Sequence, residues 1–212
     1  MTEEDIRDRI VKIVKDDAEK LAVPLDYLFA LEQALTKYSQ YRPRVLSQII
    51  AVTANAELDT ASITSFDPGF IDQIQIESPI STTGKPTFLD RNDWIIIDTV
   101  VGTVNTKVIR FIRGVNALAN VRVVHRVLHV RPATPGAALT VRGSDANALV
   151  YWGASVCLQM LAHKYTQSSE KQIMNADIAN FENKGRDYET RARTLRDQFY
   201  AEFERPGMVM VA

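Results

Sequence analysis

The chain has 212 residues, 46% hydrophobic and 24% charged, with a net charge of −1. That is ordinary globular composition, long enough to bury a substantial core as one domain with an insertion or as two small domains. The near-neutral balance excludes a whole-protein field that recruits nucleic acid or membrane, and the single cysteine, Cys157, excludes an internal disulfide framework.

The N-terminus, "MTEEDIRDRIVKIVKDD", is acidic and amphipathic, unlike a secretory signal. No apolar run approaches the roughly 18 residues of a membrane-crossing helix, so a folded cytoplasmic protein is the expectation. Ile6, Ile10, Ile13, Val14 and Leu21 mark a first helix. Thr2 can cap it, with Asp5 close to the capping-box position, and Pro24 breaks it. Asp26 can start a second helix, with Leu28, Leu31, Leu35 and Tyr38 on one face. Pro43 stops it, because proline disfavours helical backbone at the residue before it.

From Arg44 to Arg131 the segments turn rich in Val, Ile and Thr. "RVLSQIIAVT", "ASITSF", "DQIQIES", "WIIIDTV", "KVIRFI" and "VRVVHRVLHV" read as strands, with turn signals such as Asp67-Pro68-Gly69 and Gly84-Lys85-Pro86 between them. Ile74 and Ile76 alternate with Gln73, Gln75 and Glu77, which predicts an antiparallel sheet or sandwich with a wet face. Ser144-Asp145 supplies N-cap candidates for a mostly buried helix through "ANALVYWGASVCLQMLAHKY". "TQSSEKQ" reads as a tight link to a last helix.

That last helix carries Met174, Ile178, Phe181, Gly185, Tyr188, Ala192, Leu195 and Phe199 at alternating spacings of four and three. The spacing predicts a seam along partner helices, residues 146 to 166 and 26 to 40. Gly185 and Ala192 admit a close backbone approach. Glu182–Arg186, Asp187–Arg191 and Glu189–Arg193 are acid-first i,i+4 pairs that keep the outer face soluble. Pro206-Gly207 ends the helix, and the apolar tail Met208, Val209, Met210, Val211 follows as a docking candidate or a fold-back segment.

The fold class is therefore α+β: a helical bundle from N- and C-terminal helices with a central antiparallel strand-rich insertion. The expected domains are residues 1–43, 44–143 and 144–205, with a tail at 206–212.

Motifs for catalysis are absent. No Gly-rich phosphate loop follows a strand. His125 and His129 share a strand face but stand too far apart to chelate one ion easily. Cys157 lies in an apolar helix face and reads as a small buried hydrophobe. No catalytic residue, cofactor or metal site is expected. Basic groups cluster locally in "VIRFIRG" and "VRVVHRVLHVRP".

Four segments carry a resemblance. "ALTKYSQYRPRVLSQIIAV" is similar to the early part of a group of tailed-phage virion proteins, where a short helix ends at Y-S-x-x-R-P and a strand follows. "IDQIQIESPI" resembles their middle strand, with Glu77 and Pro79. "VRVVHRVLHV" resembles a late strand with an embedded histidine. "ALVYWGASVCLQMLAHKYTQ", leading to "ADIANFENKGRDYETRARTLRDQFY", resembles their closing helices, with Asp177, Lys184 and Phe199-Tyr200.

The chain thus resembles the head–tail connector (adaptor or neck) proteins over residues 28 to 203. The resemblance implies a homo-oligomeric ring, commonly of about twelve subunits, closed by a heterologous interface. It implies docking below the portal protein in the virion neck after assembly in the host cytoplasm. A neighbouring neck or tail protein is the other partner, and no catalysis is implied. The DNA channel would continue through the ring, with non-specific contact to double-stranded DNA. Arg110, Arg113, Arg122, Arg126 and Arg131 are the channel candidates, and the tail would reach toward the portal. The simplest adaptors are nearly all helix, so the strand insertion is a departure. It keeps a stopper or tail-completion protein as the alternative. A small cytoplasmic enzyme with a site assembled from remote residues is the rival from another class.

Overall fold

The computed structural model describes residues 1–16, 19–82, 84–101, 104–134, 136–169 and 177–204. The class is α+β. The chain divides into a helical unit, Met1–Arg42 with Leu128–Ala212, and a strand unit, Pro43–Val127. Among the described residues no helix is long and apolar enough to cross a membrane.

The helical unit contains α1 (Glu3–Val14), α2 (Leu25–Tyr41), α3 (Ala146–Ser169) and α4 (Asp177–Glu204). α1 begins with the full capping box: the Thr2 hydroxyl accepts from the Asp5 N–H, and the Asp5 carboxylate accepts from the Thr2 N–H. These satisfy two of the helix's orphan donors. Ile6, Ile10 and Val14, each four apart, form its buried stripe. The helix stops well before Pro24. Lys15 takes a left-handed φ of 51° and its N–H reaches the Val11 carbonyl. Asp16 then accepts from the Leu21 N–H at 2.7 Å and turns the chain toward α2.

α3 is the hub and touches α1, α2 and α4. Leu149, Ala154, Cys157, Leu158 and Leu161 are buried along it. At Gly153 an added Cβ would lie 2.5 Å from Ile10 Cδ1, so α1 crosses α3 where no side chain intervenes. The helix also continues through Thr166–Ser169, where the sequence reads as a link. Its longer course extends the contact with α4.

α4 follows the predicted seam. Gly185, Ala192 and Phe199 are buried, and Tyr188 and Leu195 half-buried. The side chain of Phe181 lies outside the described residues, as do those of Met174 and Ile178. At Gly185 an added Cβ would stand 3.2 Å from Thr166 Oγ1 and 3.5 Å from the Ala162 carbonyl. Gly185→Leu should therefore overpack the α3–α4 contact and destabilise by about 1–3 kcal/mol. A melt equal to that of the parent would deny the close approach. α4 meets α2 at its aromatic end, where Tyr38 and Tyr41 pack against Phe199, Tyr200 and Phe203, and meets α1 where Arg191 donates to the Ile13 carbonyl at 3.0 Å. That bond replaces the Asp187–Arg191 pair. Neither that pair nor Glu189–Arg193 forms an ion pair among the described residues.

Among the described residues the strand unit forms two antiparallel three-stranded sheets. One has the order β1 (Arg44–Ala51), β6 (Asn120–Val127), β3 (Gln75–Glu77). The other has the order β2 (Glu57–Asp59), β5 (Val104–Phe111), β4 (Trp94–Val101). Ile76, Val121 and Val123 from the first sheet and Leu58, Trp94 and Ile109 from the second share one core.

Three expectations are corrected. "ASITSF" is not a strand but a 3-10 turn, Thr60–Ser62, nucleated by the Asp59 carboxylate on the Ala61 N–H. Side chains then take its backbone groups: Gln48 bonds the Ser62 carbonyl and the Thr64 N–H, and His125 bonds the Thr64 carbonyl. "DQIQIES" pairs only over Gln75–Glu77, because Asp67 and Pro68 start 3-10 turns that run to Gln73. The helical unit resumes at Leu128, not at 144. Leu139 and Val141 belong to its core, so the strand unit ends where β6 ends.

Candidate interaction sites

The residues of the Y-S-x-x-R-P segment converge at the end of α2. Tyr38 and Ser39 are buried on the last turn of that helix. Tyr38 donates its hydroxyl to Asp145 Oδ2 at 2.5 Å, and Arg42 Nη1 reaches the same oxygen at 2.7 Å. Ser144 donates to the other oxygen at 2.8 Å. Asp145 stands directly before α3, and its carboxylate is taken up by side-chain donors. It is a buried carboxylate with three donors. Burial alone pushes its pKa up, but the hydrogen bonds from Tyr38, Ser144 and Arg42, with the Arg42 charge, outweigh that and hold it below the usual carboxylate value. The Tyr38 phenol, buried and bonded to a carboxylate, is pushed well above its ordinary value.

His129 completes the arrangement. Its N–H donates to Ser39 Oγ at 2.8 Å, Nε2 lies 3.0 Å from the Arg42 carbonyl, and Nδ1 lies 2.8 Å from Thr140 Oγ1. Since a carbonyl can only accept, Nε2 carries a proton. Its ring also stands edge-on to Tyr38, with centroids 5.2 Å apart. Arg42 and Leu128 are the helical unit's residues at the two chain crossings. One polar cluster therefore holds both crossings at their helical ends. His125 lies in the other unit and bonds the Thr64 carbonyl at 2.9 Å, so the two histidines do not act together.

Beside this clamp lies an aromatic cluster. Phe199 packs against Trp152 and Phe203, each at 4.9 Å between centroids, and Tyr41 stacks on Phe203 at 4.8 Å. The Lys37 ammonium sits 5.2 to 5.8 Å from the rings of Trp152, Tyr41 and Tyr200. Phe199 is fully buried, while Tyr41 stays 41% exposed, so the cluster joins core to surface.

The five arginines proposed for a channel do not stand as one set. Arg110 pairs with Glu57 at 2.5 Å, Arg122 with Glu77 at 2.6 Å, and Arg131 with Glu32 at 3.3 Å and Glu3 at 3.7 Å. Arg131 lies in the helical unit and the other four in the strand unit. Glu77, expected on a wet face, is buried and also accepts from the Ser81 N–H at 2.7 Å. Arg113 is exposed and Arg126 half-buried, and neither has an acidic partner among the described residues.

Cys157 is fully buried and its thiol is pushed up to about 12 by burial, with Asp26 and Asp16 adding to the shift. The tail Met208, Val209, Met210, Val211 lies outside the described residues. Among the described residues no group of His, Cys, Asp and Glu is placed to share a metal ion.

Exposed apolar side chains occur on both units. Val23, Leu25 and Phe29 are exposed at the start of α2, at 73%, 69% and 49%. Leu25 and Phe29 are four apart and share a helix face. Val45 and Ile49 are exposed on β1 at 59% and 56%. Sequence periodicity did not single these out, because an exposed apolar residue carries no period of its own.

No protein-family model matches the chain, and no curated protein matches it in sequence.

Proposed function

We propose that the chain is a non-catalytic structural protein of a tailed-phage virion. It is a head-to-tail adaptor that forms a ring below the portal, with about twelve copies as the resemblance to the connector proteins implies, closed by a heterologous interface. The observation that carries the reading is the clamp of Tyr38, Ser39, Arg42, His129 and Asp145. The segments that resemble the connector proteins supply all of it but Asp145, although Ser39 and His129 lie 90 residues apart in sequence. Tyr38, Ser39 and Arg42 come from the Y-S-x-x-R-P segment, and His129 from the late strand segment. They act on one another within the helical unit, where the chain leaves it at Arg42 and returns to it at Leu128. Exposed apolar side chains on both units fit a protein whose work is docking, since such patches mark contact surfaces.

The test is capture of the portal protein of the same virion by the purified full chain. Co-purification is expected, and deletion of Met208 to Ala212 should abolish it without changing the melt. A full chain with no portal affinity would contradict the adaptor reading and favour a stopper or tail-completion role.

Contact with passing DNA should be through phosphates. Arg113 and Arg126 lack acidic partners among the described residues, so they are the arginines available for it. Replacing both with Ala should flatten the log–log salt dependence of duplex binding by roughly 2. Replacing Arg110 and Arg122, already paired to Glu57 and Glu77, should change it less. A strong sequence preference in a binding selection would contradict this reading.

A further inference from the structure

Among the described residues the two sheets of the strand unit have four edges, and two of them are protected. β3 is covered by the chain at 87–89: Leu89 donates to the Ile76 carbonyl at 2.8 Å and Ser78 to the Thr87 carbonyl at 3.3 Å. β2 is only three residues long. β1 and β4 are eight residues each, and each is the end strand of its sheet.

The register fixes which backbone groups these strands leave open. Val52 donates to the Ala119 carbonyl, and this pair continues the β1–β6 register. Hydrogen-bonded pairs recur every second residue in an antiparallel ladder. The even residues of β1 therefore face β6, and Val45, Ser47, Ile49 and Ala51 turn their N–H and C=O groups off the sheet. None of these has a backbone partner across that edge among the described residues. Their side chains form the exposed row, with Val45 and Ile49 apolar. By the same reasoning, Ile112 donating to the Asp93 carbonyl leaves Trp94, Ile96 and Asp98 of β4 directed outward.

Long, uncovered edges are what folded proteins avoid through charges, proline or short strands. Here those devices guard neither edge fully. Each strand carries one charged residue, Arg44 on β1 and Asp98 on β4, and the signs are opposite. Asp98 remains 77% exposed although it pairs with Lys107.

We infer that β1 of one copy pairs with β4 of the next, so that the strand units join edge to edge. The occupant is a second copy because the unit carries both halves of the contact, equal in length and opposite in charge. A heterologous contact between two different edges leaves neither edge open when its rotation closes into a ring, whereas a β1–β1 pairing leaves both β4 edges open. This deepens the ring reading and rests on it.

Two edge-blocking variants test it. Ser47→Pro and Asp98→Pro each remove an N–H that points off the sheet, a position where an edge strand tolerates proline. Mass photometry on the full chain reads the assembly. Wild type is expected to form closed rings. Each variant alone should be monomeric with unchanged circular dichroism. An equimolar mixture should give a heterodimer and nothing larger, because it holds one intact β1 edge and one intact β4 edge. Rings that persist in either variant would overturn the edge pairing and leave the ring reading standing. A homodimer of Asp98→Pro alone would show β1–β1 pairing and overturn it as well. A wild-type chain that never exceeds a monomer and leaves portal bare would sink both. Should a proline variant lose its fold, Ile49→Lys and Asp98→Lys, both at exposed side chains, replace them with the same outcomes.

Discussion

Asp145→Ala should destabilise the helical unit by about 3–5 kcal/mol, the usual loss when one partner of a buried ion pair is removed. The Asp145 carboxylate is 4% exposed and receives Tyr38, Ser144 and Arg42. Its removal strands a phenol and leaves the guanidinium without this acid. Asp145→Asn keeps the shape and an acceptor for Tyr38, so its loss should be smaller. The pH dependence separates charge from shape. The folded pKa of Asp145 is lowered, so its stabilisation is fully present above the ordinary carboxylate value of about 3.9 and disappears as pH falls through the lowered one. Urea unfolding followed by Trp152 in a Trp94→Phe background reads this unit alone, since the chain's two tryptophans lie in different units. The acid limb of stability should shrink in Asp145→Asn. An unchanged acid limb would show that the clamp does not use the charge.

Phe199→Ala should cost about 3–5 kcal/mol, as expected for a fully buried ring that leaves a cavity. The ring touches Trp152, Tyr41, Tyr200 and Phe203, so its loss loosens α2, α3 and α4 together. Leu195→Ala on the same seam should cost less, because Leu195 is only half-buried. Equal losses at the two positions would mean that the aromatic end holds the bundle no more firmly than the rest of the seam.

The α4 seam could be read from sequence because a helix repeats its face every three to four residues and the buried set obeys that spacing. β4, β5 and β6 were legible for a similar reason, being runs of β-branched residues between turn signals. The clamp was not. Ser144-Asp145 is a strong local cap signal, and its real partners, Tyr38 and Arg42, lie more than a hundred positions away. Glu77 was assigned to a wet face by alternation, yet Arg122 across the ladder accompanies it into a buried site. The 3-10 turn at Thr60–Ser62 was missed because Ile63, Thr64 and Phe66 mimic a strand. Beyond the local Asp59 cap, its Ser62 carbonyl is taken by Gln48 and the Thr64 carbonyl after it by His125, both distant in sequence. β2 is too short to display a period.

The central claim is that this chain forms a ring tier on a portal. Electron microscopy of the purified full chain, alone and mixed with the portal protein of the same virion, tests it most directly. The account predicts portal particles carrying an added coaxial ring of this chain around an open channel. Bare portal particles beside a monodisperse monomer would contradict it.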